Sequence, residues 1–359
     1  MDKFKSEVID ISALDYNQMN IKDLGKIIHL PTNPAGQVST QTYALKELGA
    51  DASFCNYYDL KFKYPTNIPS PLTDRNLDKQ KKNMLQFAEK CSSEYDIFHF
   101  HAGQTFTAYD YSELEMLKLL GKKMIMSYWG SEIRRLSISK QKNPFAIAKI
   151  LDENWILSKI MGVSKYIDVA IVADHESLEY VYGYFKKIYI VRVSIDQKSL
   201  IPHYPLTDVK KPIIIHAPSD RYIKGTEYIL NAVNNLKKVL DFEFVLIENI
   251  PHSEALEWYK KADVVIDQLN LGIYSTVSVE GMALGKPVIS YIRNDLKNKY
   301  PKNLPIVSAT PKTIEKELTK LIKNPTLRYR LGIMGRQYVE KNHHPEIIAR
   351  KLINIYRNL

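Results

Sequence analysis

Two stretches in the second half of the chain gather residues suited to a phosphorylated ligand. In HAPSDRYIKGTEYI (216–229), Arg221 and Lys224 stand just before a helix predicted to begin near Thr226. A helix N-terminus offers unpaired N–H groups and the positive end of its dipole, and a nearby arginine and lysine turn it into a diphosphate site. The same two residues would equally serve as surface cations of a solvated loop. In LNLGIYSTVSVEGMALGKPVIS (269–290), Gly272 to Thr276 form a loop at a strand end, and a helix is expected from near Val277. Glu280 falls one turn into that helix. Its carboxylate stands either to accept both hydroxyls of a ribose while the loop N–H groups meet phosphate, or only to complement the helix dipole. Gly285 and Pro287 then stop the helix and start the next strand.

The elements that must position these residues follow from hydrophobic patterning. Strand-like runs read at Lys26–Leu30, Ala52–Cys55, Asp96–Phe100, Lys123–Ser127, Asp168–Val172 and Ile188–Val191. Helix-like segments lie between them near 38–48, 77–92, 108–120, 142–165 and 174–184. The rhythm repeats with strands at Ile213–Ala217, Glu243–Glu248, Asp263–Asp267 and Pro287–Tyr291, and helices at Thr226–Leu240, Ser253–Ala262 and Val277–Leu284. In the first of these helices Ile229, Leu230, Val233, Leu236, Val239 and Leu240 share a face. Nearly continuous Ile/Val runs are expected of parallel strands buried on both sides. Alternating β and α therefore predicts two doubly wound α/β domains, with a boundary in the polar, proline-bearing stretch 196–211. Open α/β sheets bind ligands at the carboxyl ends of their strands, so two such domains facing each other would make a cleft.

The bulk properties narrow the class. The chain has 359 residues, 45% hydrophobic and 25% charged, with a net charge of +10. That suits two globular domains, and the positive surplus suits an anionic partner without naming it. Cys55 and Cys91 are too few for a disulfide framework, and a reducing compartment fits. The N-terminal residues lack an apolar signal core, and no run is long enough to span a bilayer, which predicts a cytoplasmic protein. There is no G-x-G-x-x-G for a dinucleotide, no Asp-x-Asp to hold a divalent metal on a diphosphate, and no H-E-x-x-H or C-x-x-C. Any diphosphate would then be managed by cations and helix ends. A basic stretch runs through Lys118, Lys122, Lys123, Arg134, Arg135, Lys140 and Lys142 against Glu132, and the apolar FAIAKILDENWILSKIMG (145–162) follows. It reads as a surface for anionic lipid or an anionic acceptor, or as a solvated face beside a core helix. No stacking aromatic platform accompanies it, so nucleic acid is not expected.

Several of these segments resemble a known family. SVEGMALGKPVI (278–289) and RYIKG (221–225) look like the donor-binding signature of retaining glycosyltransferases of family four (glycosyl transferases group 1). HSEALEWYKKADVVID (252–267) resembles the stretch before that signature. Gly36, DIFHFH (96–101) and YWGSEIRR (128–135) resemble acceptor-domain strand ends. The resemblance spans roughly residues 26–359. It implies the GT-B fold, with an N-terminal extension (1–25), an acceptor-binding Rossmann-like domain (26–200), a nucleotide-sugar donor domain (201–335) and a C-terminal helix (336–359) packing back towards the first domain.

The resemblance also implies roles. Arg221 and Lys224 would neutralise the diphosphate, Glu280 would bind the ribose, and N–H groups around Ser275 and Thr276 would hold phosphate oxygens. Gly36 would let its loop approach the donor, while His101, Trp129 and Glu132 would line the acceptor or sugar pocket. His101 reads equally as a satisfied core histidine. Two positions depart from the family. Its first signature glutamate falls on Gly272, and many members carry histidine where Trp129 stands. Both departures touch the sugar pocket and not the nucleotide pocket. The implied activity is retaining, metal-independent transfer of a sugar from a nucleotide-diphosphate sugar to a glycan or lipid-linked acceptor, with no cofactor, in cell-surface polysaccharide or glycoconjugate synthesis. A nucleotide-sugar epimerase and a non-catalytic nucleotide-sugar- or glycan-binding relative are the alternatives.

Overall fold

The structure, a computed structural model, describes residues 4–11, 21, 23–58, 66–74, 76–107 and 111–359. The chain forms two compact units: Met1–Arg135 with Ile150–Ser194 and Pro345–Leu359, and Leu136–Lys149 with Ile195–His344. The first holds a seven-stranded parallel sheet of β1 (Glu7–Asp10), β2 (Ile27–Leu30), β3 (Ala52–Phe54), β4 (Ile97–His101), β5 (Lys123–Tyr128), β6 (Val169–Val172) and β7 (Lys187–Ile190), in the order β1-β7-β6-β5-β4-β2-β3. Strands β2, β4 and β6 are buried along their whole length, as their unbroken apolar runs require. Glu7–Asp10, placed in an extension by the sequence, pair in parallel with Lys187–Ile190 as the sheet's edge.

The second unit holds a five-stranded parallel sheet of β8 (Ile213–His216), β9 (Glu243–Leu246), β10 (Val264–Ile266), β11 (Val288–Ser290) and β12 (Val307–Ser308), in the order β12-β11-β10-β8-β9. Helix Thr226–Leu236 buries Ile229, Ala232, Val233 and Leu236 against this sheet's core. Ile314–Lys323, a helix missed in the sequence, contributes Ile314, Leu318, Leu321 and Ile322 to the same core. Each such side chain stabilises by about 1.5–3 kcal/mol when fully buried.

The observed architecture is the expected one, α/β with doubly wound parallel sheets. Each sheet reverses its winding once. In the first the reversal falls between β2 and β4, and in the second between β8 and β10. The carboxyl ends of the strands flanking a reversal are where open α/β sheets offer a crevice to ligands.

Three local readings change. The helix expected over 142–165 is helical only from Glu153 to Ser164, because the Asp152 side chain caps it by accepting the Trp155 N–H. The segment before it leaves the first unit. Asn143 donates to the Asn270 carbonyl at 2.6 Å, inside the second unit. Of the helix expected near 108–120, residues 108–110 lie outside the described residues, and Ser112–Leu119 is helical. The C-terminal helix expected over 336–359 is parts of two: Pro325–Asn342, in the second unit, and Pro345–Arg357, whose Ile348, Leu352, Ile353 and Tyr356 enter the core of the first.

Helix Pro325–Asn342 seats against helix Thr276–Ala283 through glycines. A Cβ on Gly332 would collide with the Gly285 carbonyl oxygen, and one on Gly335 would lie 3.2 Å from Met282 Cγ. Gly332→Ala is expected to destabilise the chain by about 1–3 kcal/mol, the usual range for overpacking. Urea unfolding of the two proteins checks this, and equal midpoints would contradict the close approach.

Candidate functional site

At the reversal of the second sheet, β8 runs into Arg221–Lys224. The sequence placed these residues before a helix, but they form a helical turn of their own. Asp220 caps it by accepting the Ile223 N–H, and Gly225 ends it at φ 73°, a left-handed conformation that separates it from helix Thr226–Leu236. The turn buries Lys224, whose Nζ donates to Asp267 Oδ1 and to Ser275 Oγ, both at 2.8 Å.

Asp267, just past the end of β10, is the centre of this constellation, and the sequence reading did not single it out. Its carboxylate accepts from Lys224, from the Ser275 N–H (2.8 Å) and hydroxyl (2.7 Å), and from the Ser278 hydroxyl (2.6 Å). Burial alone would raise its pKa. The Lys224 charge and the hydroxyl hydrogen bonds outweigh burial and hold it below the ordinary carboxylate value. The available signal was its position, an aspartate closing an apolar strand. The Ser275 N–H is engaged by Asp267. The free N–H groups of helix Thr276–Ala283 are instead those of its first turn, from Thr276 onward. Among the described residues Lys224 Nζ has two side-chain acceptors for its three protons.

Arg221 projects elsewhere. Its guanidinium forks onto Glu248 through Nε (2.8 Å) and Nη2 (2.6 Å), and the pair is solvent-exposed on the arginine side. An exposed pair of this kind contributes about 0–1 kcal/mol, so an incoming anion can exchange with Glu248. Glu280 is buried and accepts from His252 Nε2 at 2.7 Å. That hydrogen bond raises the His252 pKa above its ordinary value, against the opposing effect of partial burial. The sequence offers no role for His252. It opens the helix His252–Lys261.

Gly272 has φ +80°, and a Cβ there would lie 2.7 Å from Arg293 Cγ. Arg293 is fully buried, donates its N–H to the Gly272 carbonyl at 2.8 Å and pairs with Asp295. The space beside Gly272 is therefore filled by an arginine side chain, and a glutamate there would be strained and blocked. Behind the cluster, His216 holds the start of helix Thr226–Leu236. Its Nδ1 donates to the Ile266 carbonyl, so Nε2 accepts the Thr226 hydroxyl, each at 2.9 Å. Burial pushes its pKa down to about 4.

In the first unit the expected residues gather at the carboxyl ends of three neighbouring strands. Gly36, at φ 70°, precedes helix Gln37–Glu47 after β2, and its carbonyl accepts the Ser39 and Thr40 hydroxyls. His101 closes β4, and Trp129 follows β5 with its ring stacked 6.0 Å from His101. Glu132 accepts the Trp129 N–H, while the atoms packed around its carboxyl raise its pKa. His101 is neither a lone ligand contact nor a fully satisfied core residue. It stacks on His99, contacts His29, and its Nδ1 makes no hydrogen bond to any described residue. The three rings are close enough to suggest a metal site. However, the His99 and His101 rings stack at 4.3 Å with 25° between their planes, so their in-plane lone pairs do not converge on one ion. The basic stretch is also less exposed than expected. Arg134 is buried in a fork onto Glu176, and Arg135 is buried and donates to the Tyr180 carbonyl.

Neither a protein-family model nor a curated protein matches the chain. Solved structures do match. Sucrose-phosphate synthase from Thermosynechococcus elongatus is 15% identical with a TM-score of 0.60, over 93% of this chain and 98% of that one. HepE from Anabaena, in complex with UDP-glucose, is 11% identical with a TM-score of 0.62, over 93% and 100%. The catalytic domain of starch synthase IV from Arabidopsis thaliana, bound to ADP and acarbose, is 13% identical with a TM-score of 0.62, over 93% and 99%. The chain has the GT-B fold of these glycosyltransferases.

Two measurements test the charged cluster. Asp267→Asn leaves Lys224 buried without a counter-charge and is expected to cost about 3–5 kcal/mol at neutral pH. Because the folded pKa of Asp267 lies below the unfolded value of about 3.9, its stabilisation is present above that pH and is lost as pH falls below it. Urea midpoints should therefore drop more steeply below about pH 4 in the parent than in Asp267→Asn. Separately, NMR titration should find His252 above its ordinary pKa, falling in Glu280→Gln because the partial burial that lowers it is then no longer offset by the carboxylate. An unchanged His252 titration would contradict the pair.

Proposed function

We propose that this protein is a glycosyltransferase that moves a sugar from a nucleotide-diphosphate sugar to a polar glycan or lipid-linked acceptor, with retention and without a metal ion. The observation that carries the reading is the cluster at the second sheet's reversal. A buried lysine with a proton to spare beyond its two described acceptors, a helix N-terminus, an exchangeable arginine and a buried carboxylate one turn into the helix stand on a GT-B fold. The neighbours named for a UDP-glucose and an ADP complex support a nucleotide diphosphate as the ligand class.

Transfer breaks the bond from the sugar's anomeric carbon to the diphosphate oxygen and forms one to the acceptor oxygen on the same face. Negative charge develops on the leaving phosphate, where Lys224, Arg221 and the helix N–H groups would stabilise it. The acceptor proton passes to that phosphate oxygen. Arg221 would release Glu248 to reach it. Among the described residues no helix is long and apolar enough to cross a membrane. We place the enzyme in the cytoplasm or against the inner face of the cell membrane, in cell-surface polysaccharide or glycoconjugate synthesis.

Arg221→Ala is the informative variant, since its exposed side chain contributes little to folding. It is expected to lower turnover of UDP-glucose or ADP-glucose roughly 10²–10³-fold, the usual effect of removing one charge-stabilising donor. Thermal shift with each nucleotide-sugar in the presence of EDTA reads binding, worth about 2.7 kcal/mol at a hundredfold excess over Kd. No shift with any nucleotide would sink the proposal. A shift without transfer or hydrolysis would favour the non-catalytic binding protein, a reading that the Arg293-filled space at Gly272 supports.

A further inference from the structure

The first sheet carries a hydrogen-bonded chain of five buried side chains drawn from three strands or strand neighbours and the C-terminal helix. Ser127 Oγ meets His99 Nε2 at 2.6 Å, and His99 Nδ1 meets the Tyr356 hydroxyl at 2.6 Å. The same hydroxyl meets His29 Nε2 at 3.1 Å, and His29 Nδ1 meets His101 Nε2 at 3.1 Å. The three histidines are fully buried, and burial drives each pKa far down, His29 to about 3. Each ring therefore carries one proton, on one nitrogen or the other.

Counting protons leaves few arrangements. If Ser127 donates to His99, then His99 donates from Nδ1 to Tyr356, Tyr356 to His29 Nε2, and His29 from Nδ1 to His101 Nε2. His101 then carries its proton on Nδ1. In the reversed state every ring is protonated on Nε2, Ser127 becomes the acceptor, and His101 Nδ1 presents a lone pair. A mixed state in which both neighbouring rings donate to Tyr356 strands the phenol proton in a fully buried position, which low-polarity surroundings penalise.

We propose that Ser127, His99, Tyr356 and His29 form a tautomeric relay that sets whether His101 Nδ1 is a donor or an acceptor, without any change in charge. His101 Nδ1 is the end that makes no bond to a described residue; it is buried beneath the carboxyl edge of the sheet beside Trp129, so a ligand reaches it only where its neighbours give way. The four other groups are positioning residues. A switchable neutral contact suits a polyol, whose hydroxyls both donate and accept. This use of the relay rests on the reading of His101 as part of the sugar or acceptor pocket, whereas the relay itself does not.

Two-bond ¹⁵N–¹H spectra of ¹⁵N-histidine-labelled protein assign the protonated nitrogen of each ring. In the parent, His29, His99 and His101 are expected to share one tautomer. Tyr356→Phe removes the central link, so His99 keeps only Ser127 and His29 keeps only His101. The spectra should then show His99 protonated on Nε2 with His29 and His101 on Nδ1, which flips at least one ring whatever the parent state. Ser127→Ala removes the acceptor needed by the reversed state and should leave all three on Nδ1. Opposite tautomers in the parent, no flip in Tyr356→Phe, or a stoichiometric metal on the rings by elemental analysis would each overturn the relay. Adding UDP-glucose tests the pocket reading on its own. A coupled shift of His101 and His99 supports it, and silent rings with the relay intact would refute it alone.

Discussion

One buried carboxylate organises the second unit. Asp267 sits where the sheet reverses its winding and accepts hydrogen bonds from a lysine, two serine hydroxyls and a backbone N–H. An ionised carboxylate has roughly four lone-pair directions, and here all are answered by the chain itself. In a water-poor setting such satisfaction separates a stabilising centre from a costly one. Its partners belong to the turn after β8, the loop after β10 and the start of helix Thr276–Ala283. That helix can begin in one place only, and Glu280, one turn later, comes to rest against His252.

The far end of the same helix is held by close approach. Gly285 leaves it in a left-handed conformation, and helix Pro325–Asn342 packs directly onto the Gly285 carbonyl through Gly332. A charged knot at one end and glycine contacts at the other fix a short helix whose N-terminus lies at the carboxyl edge of the sheet. The two reversals also differ in character. The second sheet's is built from full charges suited to phosphate. The first sheet's is built from buried neutral rings and hydroxyls. Polarity in the second is fixed by ion pairs, whereas in the first it is adjustable through proton position.

Much of this was legible beforehand because apolar runs and glycine or proline stops are local signals. Most strands fell where the Ile/Val runs stood, and the loop-to-helix junctions at 221–226 and 272–277 were located. Features that needed distant partners were not. Glu7–Asp10 is too short and polar to announce itself, and becomes a strand only because Lys187–Ile190 offers an edge. Arg134 looks like a surface cation until Glu176 is folded beside it, 42 residues later in sequence. Asp267 reads as an ordinary strand-ending acid until Lys224, 43 residues earlier, closes on it.

The alternation of strands and helices, the α/β class and the residue types at the two sheet reversals follow from periodicity, burial and turn chemistry along neighbouring residues, and so could be read from the chain alone. Folding settled which charges are already paired, that Arg221 rests on Glu248, that Arg293 fills the space beside Gly272, and that three histidines and a tyrosine are joined in one hydrogen-bonded line. Pairing of polar groups is settled by distance and desolvation between residues far apart in the chain, and those quantities do not exist until the chain is folded.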